Sequence, residues 1–280
     1  MQDQVNYRLY TSKHKLEQHY KKSEIGLQYL NQQTERSQQL YDALRIVSWN
    51  MHGFQETRDI PDYEQQLQYF LEHVKPDVLV IIEHNMRAPH QLLSNYLPYY
   101  HMHACMAVYS RIPFRYVNDL TLDHSGNRKM VHYRFTRSSV NLYITHLSPY
   151  SQNCREESIR RIMNYHKELG SVNTILVGDF NHVDIREMPD KVKYLAELND
   201  RTGILYRNVI EDLEPTFMET FNAIGAQPPY STHWTGTRID YIFVTKAADI
   251  MPIGSYVYHS ILSDHLPIIS DFISLKSLEH

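Results

Sequence analysis

The segment NTILVGDFN (residues 173–181) combines a short apolar run with a polar turn. The run Ile175, Leu176, Val177 is typical of a strand that is buried on both faces. Gly178 allows the backbone to turn tightly. Asp179 and Asn181 then follow at the strand end, where a rigid scaffold can hold polar side chains at one edge of a core. The segment therefore predicts a buried strand that ends in a functional turn.

Similar apolar runs recur along the chain and alternate with stretches of helical periodicity. They predict buried strands at 45–49, 78–82, 106–110, 140–146, 173–178, 239–245 and 266–273. Helices are predicted at 63–74, with Leu67, Phe70 and Leu71 on one face, and at 154–169 and 191–199. This alternation indicates one α/β domain over about residues 44–275.

Polar motifs adjoin most of these strands. In chain order they are WNMHG (49–53), IE (82–83), THL (145–147), GDFN (178–181), RIDY (238–241) and SDHLP (263–267). Each motif alone is a weak signal, because a carboxylate after a strand is usually a solvated strand end. The complete ordered set is far more specific than any member.

This ordered set resembles the endonuclease/exonuclease/phosphatase superfamily, which has the DNase I-like fold. The resemblance spans residues 45–268, nearly the whole predicted domain. It implies a four-layer α/β/β/α sandwich, in which two packed, mostly antiparallel sheets are flanked by helices. It also implies hydrolysis of phosphoesters.

The resemblance implies a divalent-metal site. Glu83 would be the principal metal carboxylate, Asn50 would help to position metal or phosphate, and Asp264 would be a second, weaker ligand. The residues agree with this, because an oxygen-donor set without HExxH suits a hard cation such as Mg²⁺, with Mn²⁺ as the alternative.

The resemblance also implies catalytic roles. Asp179 would orient or deprotonate the attacking water, and Asn181 would hold the phosphate. His265 would contact the scissile phosphate as a protonated donor, with its imidazole held by Asp240. A carboxylate partner raises the pKa of a histidine, as this role requires.

His146 distinguishes branches of the superfamily. Members that process abasic DNA resemble one another in carrying a tyrosine here, whereas this chain has the sequence Thr-His-Leu. That motif is similar to the branch containing DNase I, bacterial sphingomyelinases, deadenylases and the tyrosyl-DNA phosphodiesterase. An imidazole at this position can protonate a leaving group or stabilise charge on it.

Three further residues are predicted to bind substrate: Arg111, Tyr150 and Trp234. For Arg111, a structural ion pair is the alternative to phosphate contact. Trp234 would stack on a base if it is exposed. The competing expectation, favoured by how often tryptophan is buried, is that it packs on the core.

The composition excludes several classes of protein. With a formal charge of −4, the chain has no overall excess of positive charge that would bind nucleic acid non-specifically, although a local basic groove stays possible. With 2 cysteines there is no disulfide scaffold or structural zinc motif. The N-terminus has no apolar signal-peptide segment, and no apolar run is long enough to span a membrane. An intracellular protein, cytoplasmic or nuclear, is therefore predicted.

Both ends of the chain differ from the predicted domain. Residues 1–43 have weak amphipathic periodicity and predict a helical extension, which either packs on the domain or binds a partner. Residues 276–280 are a tail, and its Leu-Glu-His ending resembles the start of an affinity-tag scar.

Three functional hypotheses follow. The leading one is a divalent-metal-dependent phosphodiesterase that acts on nucleic acid. The second is a phosphatase or phospholipase-type hydrolase of inositol phosphates, phospholipid or sphingomyelin. The third is a catalytically inactive binding module, which the sequence disfavours because Glu83, Asp179, Asp240 and His265 are all retained.

Overall fold

The computed structural model describes residues 43–124, 126, 128–136, 138–187, 207–226 and 231–274. The predicted helix at 191–199 and the tail at 276–280 lie outside these residues, as does the predicted extension up to residue 42. Twelve strands are described: β1 Leu44–Asn50, β2 Val78–Ile82, β3 Tyr99–His103, β4 Met106–Ser110, β5 Phe114–Thr121, β6 Lys129–Phe135, β7 Asn141–His146, β8 Thr174–Asp179, β9 Phe217–Glu219, β10 Asp240–Thr245, β11 Ile250–Val257 and β12 Ile268–Ser274. The helices are α1 Tyr63–Val74, α2 His90–Tyr96, α3 Gln152–Leu169 and α4 Thr220–Ala223, with a 3-10 helix at His52–Arg58.

The described strands form two mixed six-stranded sheets. The first has the order β11-β12-β1-β2-β4-β3, and the second has the order β5-β6-β7-β8-β10-β9. One pair in each sheet is parallel, β1 with β2 and β7 with β8, and the other pairs are antiparallel. The expected pair of mostly antiparallel sheets is confirmed.

Three apolar clusters fill the spaces between four layers. The central cluster joins the facing sides of the sheets, for example Val80 against Ile144 and Val177. On the outer side of the first sheet, α1 and α2 pack over residues such as Trp49. On the outer side of the second sheet, α3 packs Ile159 over residues such as Leu176. The α/β/β/α sandwich predicted from the sequence is therefore the observed architecture.

The seven predicted strands correspond to β1, β2, β4, β7, β8, β10 and β12. Sequence patterns did not predict the five others. They include edge strands such as β3 and β5, whose side chains are largely half-buried or exposed. Because an edge strand does not need a continuous apolar run, the pattern that marks central strands is absent there.

Candidate active site

The polar motifs meet at one edge of the sandwich, with each sheet supplying half of them. The first sheet supplies Asn50 at the end of β1, Glu83 directly after β2, and His265 before β12. The second sheet supplies His146 and Asp179 at the ends of β7 and β8, which are paired opposite each other. Asp240 begins β10 and pairs in turn with Asp179.

Asn50 and His146 bridge the two sheets. Asn50 Nδ2 donates to Glu83 Oε1 at 3.2 Å and to Asp179 Oδ2 at 3.0 Å. His146 Nε2 lies 3.5 Å from the same Asp179 oxygen and 3.8 Å from Glu83 Oε1. Four side chains from four strand ends therefore surround one small volume.

The turn after β8 holds Asp179 rigidly. Asp179 Oδ1 accepts a hydrogen bond from the backbone N–H of Asn181 at 2.8 Å. Asn181 adopts a left-handed φ of 47° and donates its Nδ2 to the carbonyl of Leu147 at 3.1 Å. Phe180 is fully buried against Tyr241 and so anchors the turn.

His265 and Asp240 form a buried pair. His265 Nδ1 lies 2.8 Å from Asp240 Oδ2, and its Nε2 lies 3.9 Å from Asp179 Oδ2. Thr232 orients Asp240, because its Oγ1 donates to Asp240 Oδ2 at 2.7 Å and accepts from the Asp240 backbone N–H at 3.2 Å. The imidazole is therefore held with its free nitrogen facing the Asn50 cluster.

Hydrogen bonds connect the first and last motifs of the site. Trp49 is buried, and its Nε1 donates to the carbonyl of His265 at 2.9 Å. Ser263 Oγ donates to the carbonyl of Asn50 at 2.7 Å and accepts from the His265 backbone N–H at 3.2 Å. These contacts connect residues more than two hundred positions apart and fix His265 relative to Asn50.

The two site histidines have opposite protonation properties. Burial lowers the pKa of His146 to about 3, and the positive charges of Arg128 and His265 act in the same direction. Burial alone would also lower the pKa of His265, but the carboxylates of Asp240, Asp179 and Asp264 together outweigh it, Asp240 most of all, and raise the pKa to about 10. At neutral pH, His146 is therefore neutral and His265 is an imidazolium.

Asp179 is fully buried beside a second carboxylate. Burial, to which repulsion from Asp240 adds, raises the pKa of Asp179, and the charge of His265 opposes this rise only in part. A carboxylate in this environment accepts a proton more readily than one in water, which suits a group that acts as a general base.

The donor set at this edge fits a divalent cation. Glu83, Asp179, Asp240 and Asp264 bring four carboxylates together, and within the described residues their only cationic ion-pair partners are histidines. The Glu83 side chain is 35% exposed, so one carboxylate stays accessible. A hard cation with oxygen ligands would balance this charge.

The model of the Endonuclease/Exonuclease/phosphatase family matches residues 47–265. The chain belongs to this family. Its members hydrolyse phosphoesters, and the chain retains the full set of site motifs that the family resemblance implied. A search of curated proteins found no significant match to the sequence.

Several solved structures of the family share the fold at low sequence identity. The human nocturnin catalytic domain with bound sulfate has 17% identity and a TM-score of 0.57, covering 83% of this chain and 93% of that one. Zebrafish (D. rerio) TDP2 complexed with a single-strand DNA product has 16% identity and a TM-score of 0.57, covering 83% and 100%. The mannosyl-6-phosphatase Bt3783 of Bacteroides thetaiotaomicron has 16% identity and a TM-score of 0.57, covering 82% and 99%.

The three residues predicted to bind substrate do not lie together: Arg111 is away from the site, whereas Trp234 and Tyr150 are next to it. Arg111 follows β4 and lies at the end of β2 opposite to Glu83, because Ser110 pairs with Val78. Its backbone N–H donates to the Asp77 carbonyl at 2.8 Å, and its charge acts on Asp77. The structure therefore does not bring Arg111 to the site, and it places the Arg111 charge near Asp77 instead.

Trp234 and Tyr150 both lie on loops that adjoin site residues. The Trp234 backbone N–H donates to the Asp264 carbonyl at 2.9 Å, and its side chain is 47% exposed. The expectation that Trp234 packs on the core is therefore wrong. Tyr150 follows the His146 strand and is 92% exposed, so its ring is also open to a ligand.

Sequence reasoning missed several residues of the site. The His233 ring lies 4.5 Å from that of His265, and His233 Nε2 lies 3.7 Å from Asp264 Oδ2. His52 Nδ1 lies 3.7 Å from the same oxygen. Asp264 belongs to one set of potential metal ligands with His233 and to another with His52, and within each set the ligand atoms all lie within 4.8 Å of one another. His52 does stand two positions after Asn50, but no sequence signal marked His233 or Thr232.

In the described part of the chain, no helix is both long and apolar enough to cross a bilayer.

Proposed function

We propose that this protein is a divalent-metal-dependent phosphodiesterase that cleaves nucleic acid. The observation that carries the proposal is the meeting of Asn50, Glu83, His146, Asp179 and His265 within hydrogen-bonding or ion-pair distance at one edge of the sandwich. Phosphodiester hydrolysis requires an activated water, neutralised phosphate oxygens and a stabilised leaving group.

His265 and Asp179 supply the first two requirements. The imidazolium of His265 can donate Nε2–H to a non-bridging phosphate oxygen, while Asp240 holds its other nitrogen. Asp179 would orient the attacking water and take its proton, which its raised pKa favours. Asn181, fixed beside Asp179, would donate a hydrogen bond to the phosphate.

His146 would stabilise the leaving oxygen as a neutral donor. Because burial and neighbouring cations lower its pKa to about 3, at neutral pH it does not carry the second proton that a general acid would donate. Its Nδ1 is buried and has no hydrogen-bond partner within the described residues. Of the two sequence-based roles for this imidazole, stabilising charge is the better supported.

Glu83, Asn50 and Asp264 would hold the cation. Bound there, Mg²⁺ or Mn²⁺ would supply positive charge to the phosphate oxygens and the leaving oxygen. The supporting observation is the excess of carboxylates over cations at this edge.

Nucleic acid is the favoured substrate because exposed rings adjoin the cluster. Trp234 and Tyr150 offer faces on which bases can stack. The structural similarity to zebrafish TDP2, which was solved with a single-strand DNA product, is consistent with this choice. An intracellular location remains a prediction from the sequence.

The test is hydrolysis of single- and double-stranded DNA and RNA oligonucleotides in Mg²⁺, with an EDTA control. We expect Asp179→Asn and His265→Gln each to lower kcat/KM at least about 100-fold. Matched controls are Asp59→Asn, an exposed carboxylate outside the cluster, and His73→Gln on α1. Equal activity in wild type and both site variants would overturn the proposal.

The competing function is hydrolysis of small phosphoesters. The B. thetaiotaomicron mannosyl-6-phosphatase shares the fold to the same TM-score as TDP2, 0.57, so the fold does not separate the two. The same protein should therefore be assayed on sugar phosphates, inositol phosphates and sphingomyelin. A higher kcat/KM on any of these than on every oligonucleotide would replace nucleic acid as the substrate.

A further inference from the structure

Asn85 joins two loops that lie beside the candidate cation site. The first loop follows Asn50 and begins the 3-10 helix, and the second is the turn that starts at Glu83. The Asn85 side chain is half-buried between them, and its Nδ2 donates to the Gly53 carbonyl at 2.5 Å. One amide group therefore connects the backbones that carry Asn50 and Glu83.

The turn at Glu83 needs such support because its backbone is strained. Glu83 has a left-handed φ of 57°, which residues with a Cβ atom rarely adopt. Such a conformation persists only where surrounding contacts hold it. On one side, the His84 backbone N–H donates to the Cys105 carbonyl at 2.8 Å. On the other side, Asn85 Oδ1 accepts from the Arg87 backbone N–H at 2.8 Å while its Nδ2 reaches the first loop.

The first loop orients the Asn50 side chain. The His52 backbone N–H donates to Asn50 Oδ1 at 2.9 Å. This bond leaves Asn50 Nδ2 directed at Glu83 Oε1, 3.2 Å away, and at Asp179. His52 and Gly53 both have left-handed φ values, 45° and 63°, so this loop is also strained. A shift of the loop would therefore move the Asn50 amide relative to the Glu83 carboxylate.

The two loops fit closely where they meet. A Cβ atom on residue 53 would lie 2.8 Å from Asn85 Nδ2, too close for atoms that are not bonded. Glycine at position 53 thus serves two needs, the left-handed backbone and the close approach of the Asn85 amide. The contact depends on both residues.

We propose that Asn85 is a positioning residue of the cation site, which sets the spacing of Asn50 and Glu83 and thereby the affinity for the divalent cation. The inference rests on the proposed function, because it takes Asn50 and Glu83 as ligands. Groups that orient metal ligands typically change metal affinity or activity by about 10- to 100-fold. Asn85 acts through the backbone of both loops, so we expect an effect at the lower end of this range.

The experiment measures cation binding directly, without substrate. Electron paramagnetic resonance of free Mn²⁺ gives the Kd of the full chain after EDTA has been removed. Asn85→Ala should raise this Kd about tenfold. Asn95→Ala removes an exposed asparagine on α2 and should leave it unchanged. In oligonucleotide assays, the activity lost in Asn85→Ala should be larger at low Mg²⁺ than at saturating Mg²⁺.

Gly53→Ala tests the same contact from the other loop. Its methyl group would displace the Asn85 amide, so the Mn²⁺ Kd should again rise about tenfold. In the double variant with Asn85→Ala there is no amide to displace, so the Kd should equal that of Asn85→Ala alone. Gly170→Ala controls for backbone strain, because Gly170 is also left-handed but has open space around a built Cβ.

The outcomes separate this inference from the proposed function. An Mn²⁺ Kd that rises in Glu83→Gln but not in Asn85→Ala would overturn the inference, even if the Tm of Asn85→Ala falls. So would a double variant whose Kd shows the product of the two single effects, since the residues would then act independently. If thermal unfolding shows that one single variant is not folded, the Kd of the other decides. If wild type binds no Mn²⁺, or Glu83→Gln binds it equally well, the cation site of the proposed function fails and the inference fails with it.

Discussion

Thr232 connects a loop to the buried His265–Asp240 pair through a single hydroxyl group. Its side chain is fully buried. Its Oγ1 donates to Asp240 Oδ2 and accepts from the backbone N–H groups of Ile239 and Asp240. Its carbonyl also accepts from Leu266 at 2.8 Å, next to His265. Within the proposed mechanism, Thr232 is therefore a positioning residue that acts through Asp240.

Thr232→Val keeps the shape of the side chain and removes the hydroxyl. We expect kcat to fall about tenfold, because Asp240 loses the donor that aims it at His265. The free energy of unfolding should fall by about 1–3 kcal/mol, because two buried N–H groups lose their acceptor. Steady-state kinetics and urea unfolding measure the two effects.

Thr232→Ser is the matched control, since it restores the hydroxyl and should restore both kcat and stability. The pH profile of kcat adds a readout that a purely structural role would not change. Full activity of Thr232→Val, with an unaltered profile, would show that Asp240 needs no such support.

At the scale of elements, the parallel pair β7 and β8 depends on Gly178. Gly178 lies opposite Thr145, and a Cβ atom at this position would overlap the Thr145 carbonyl oxygen. The strands can therefore place His146 beside Asp179 only if residue 178 has no side chain.

Gly178→Ala should lower the free energy of unfolding by more than about 3 kcal/mol, because backbone must move to admit the methyl group. Gly170→Ala is the comparison: Gly170 caps α3 with a φ of 60°, but nothing lies within 4 Å of a built Cβ. It should cost only about 1–2 kcal/mol. Similar losses in chemical denaturation would mean that the β7–β8 approach is not as tight as described.

The strands that were not predicted show what periodicity does not reveal. The apolar runs at 78–82 and 106–110 predicted β2 and β4 with their observed bounds. By contrast, β5 and β6 carry charged and aromatic residues in mixed order and were not predicted. Their pairing depends on contacts between strands, which no short window of sequence contains.

For the whole molecule, buried neutral histidines predict a loss of stability at acidic pH. Burial lowers the pKa of His182 to about 3, and its Nε2 accepts a hydrogen bond from the Val209 N–H at 3.1 Å. An unfolded histidine titrates near about 6.5. Below that pH the unfolded state takes up protons that the folded state does not, so stability falls as the pH falls toward 3.

His182→Gln retains an acceptor for Val209 and removes the titration. Its free energy of unfolding should fall less steeply between pH 7 and 5 than that of wild type, by up to about 1.4 kcal/mol per pH unit. Urea unfolding at three pH values measures the slopes. Parallel curves for the two proteins would contradict a neutral buried His182.

Cation binding at the carboxylate cluster predicts a second global effect. Mg²⁺ added after EDTA treatment should raise the Tm, because a ligand at 100 times its Kd stabilises the folded state by about 2.7 kcal/mol. Glu83→Gln should remove most of this shift, whereas Glu64→Gln, at an exposed position on α1, should not. Thermal unfolding across a Mg²⁺ titration measures the Tm shift of each variant. An undiminished Tm shift in Glu83→Gln would exclude Glu83 as a ligand.

The sequence by itself determined seven of the strands and the order of the polar motifs, and through the family resemblance that this order carries it implied the four-layer architecture. Strand periodicity and strand-end motifs are local, so they can be recognised without knowing which residues become neighbours. The tertiary structure decided how these motifs meet, including the contacts of Thr232 and His233 and the exposure of Trp234. It also decided protonation: His146 and His265 are the same residue type, yet burial keeps one neutral while Asp240 keeps the other charged. That difference depends on desolvation and on a carboxylate 25 positions away, which only the folded chain brings into contact.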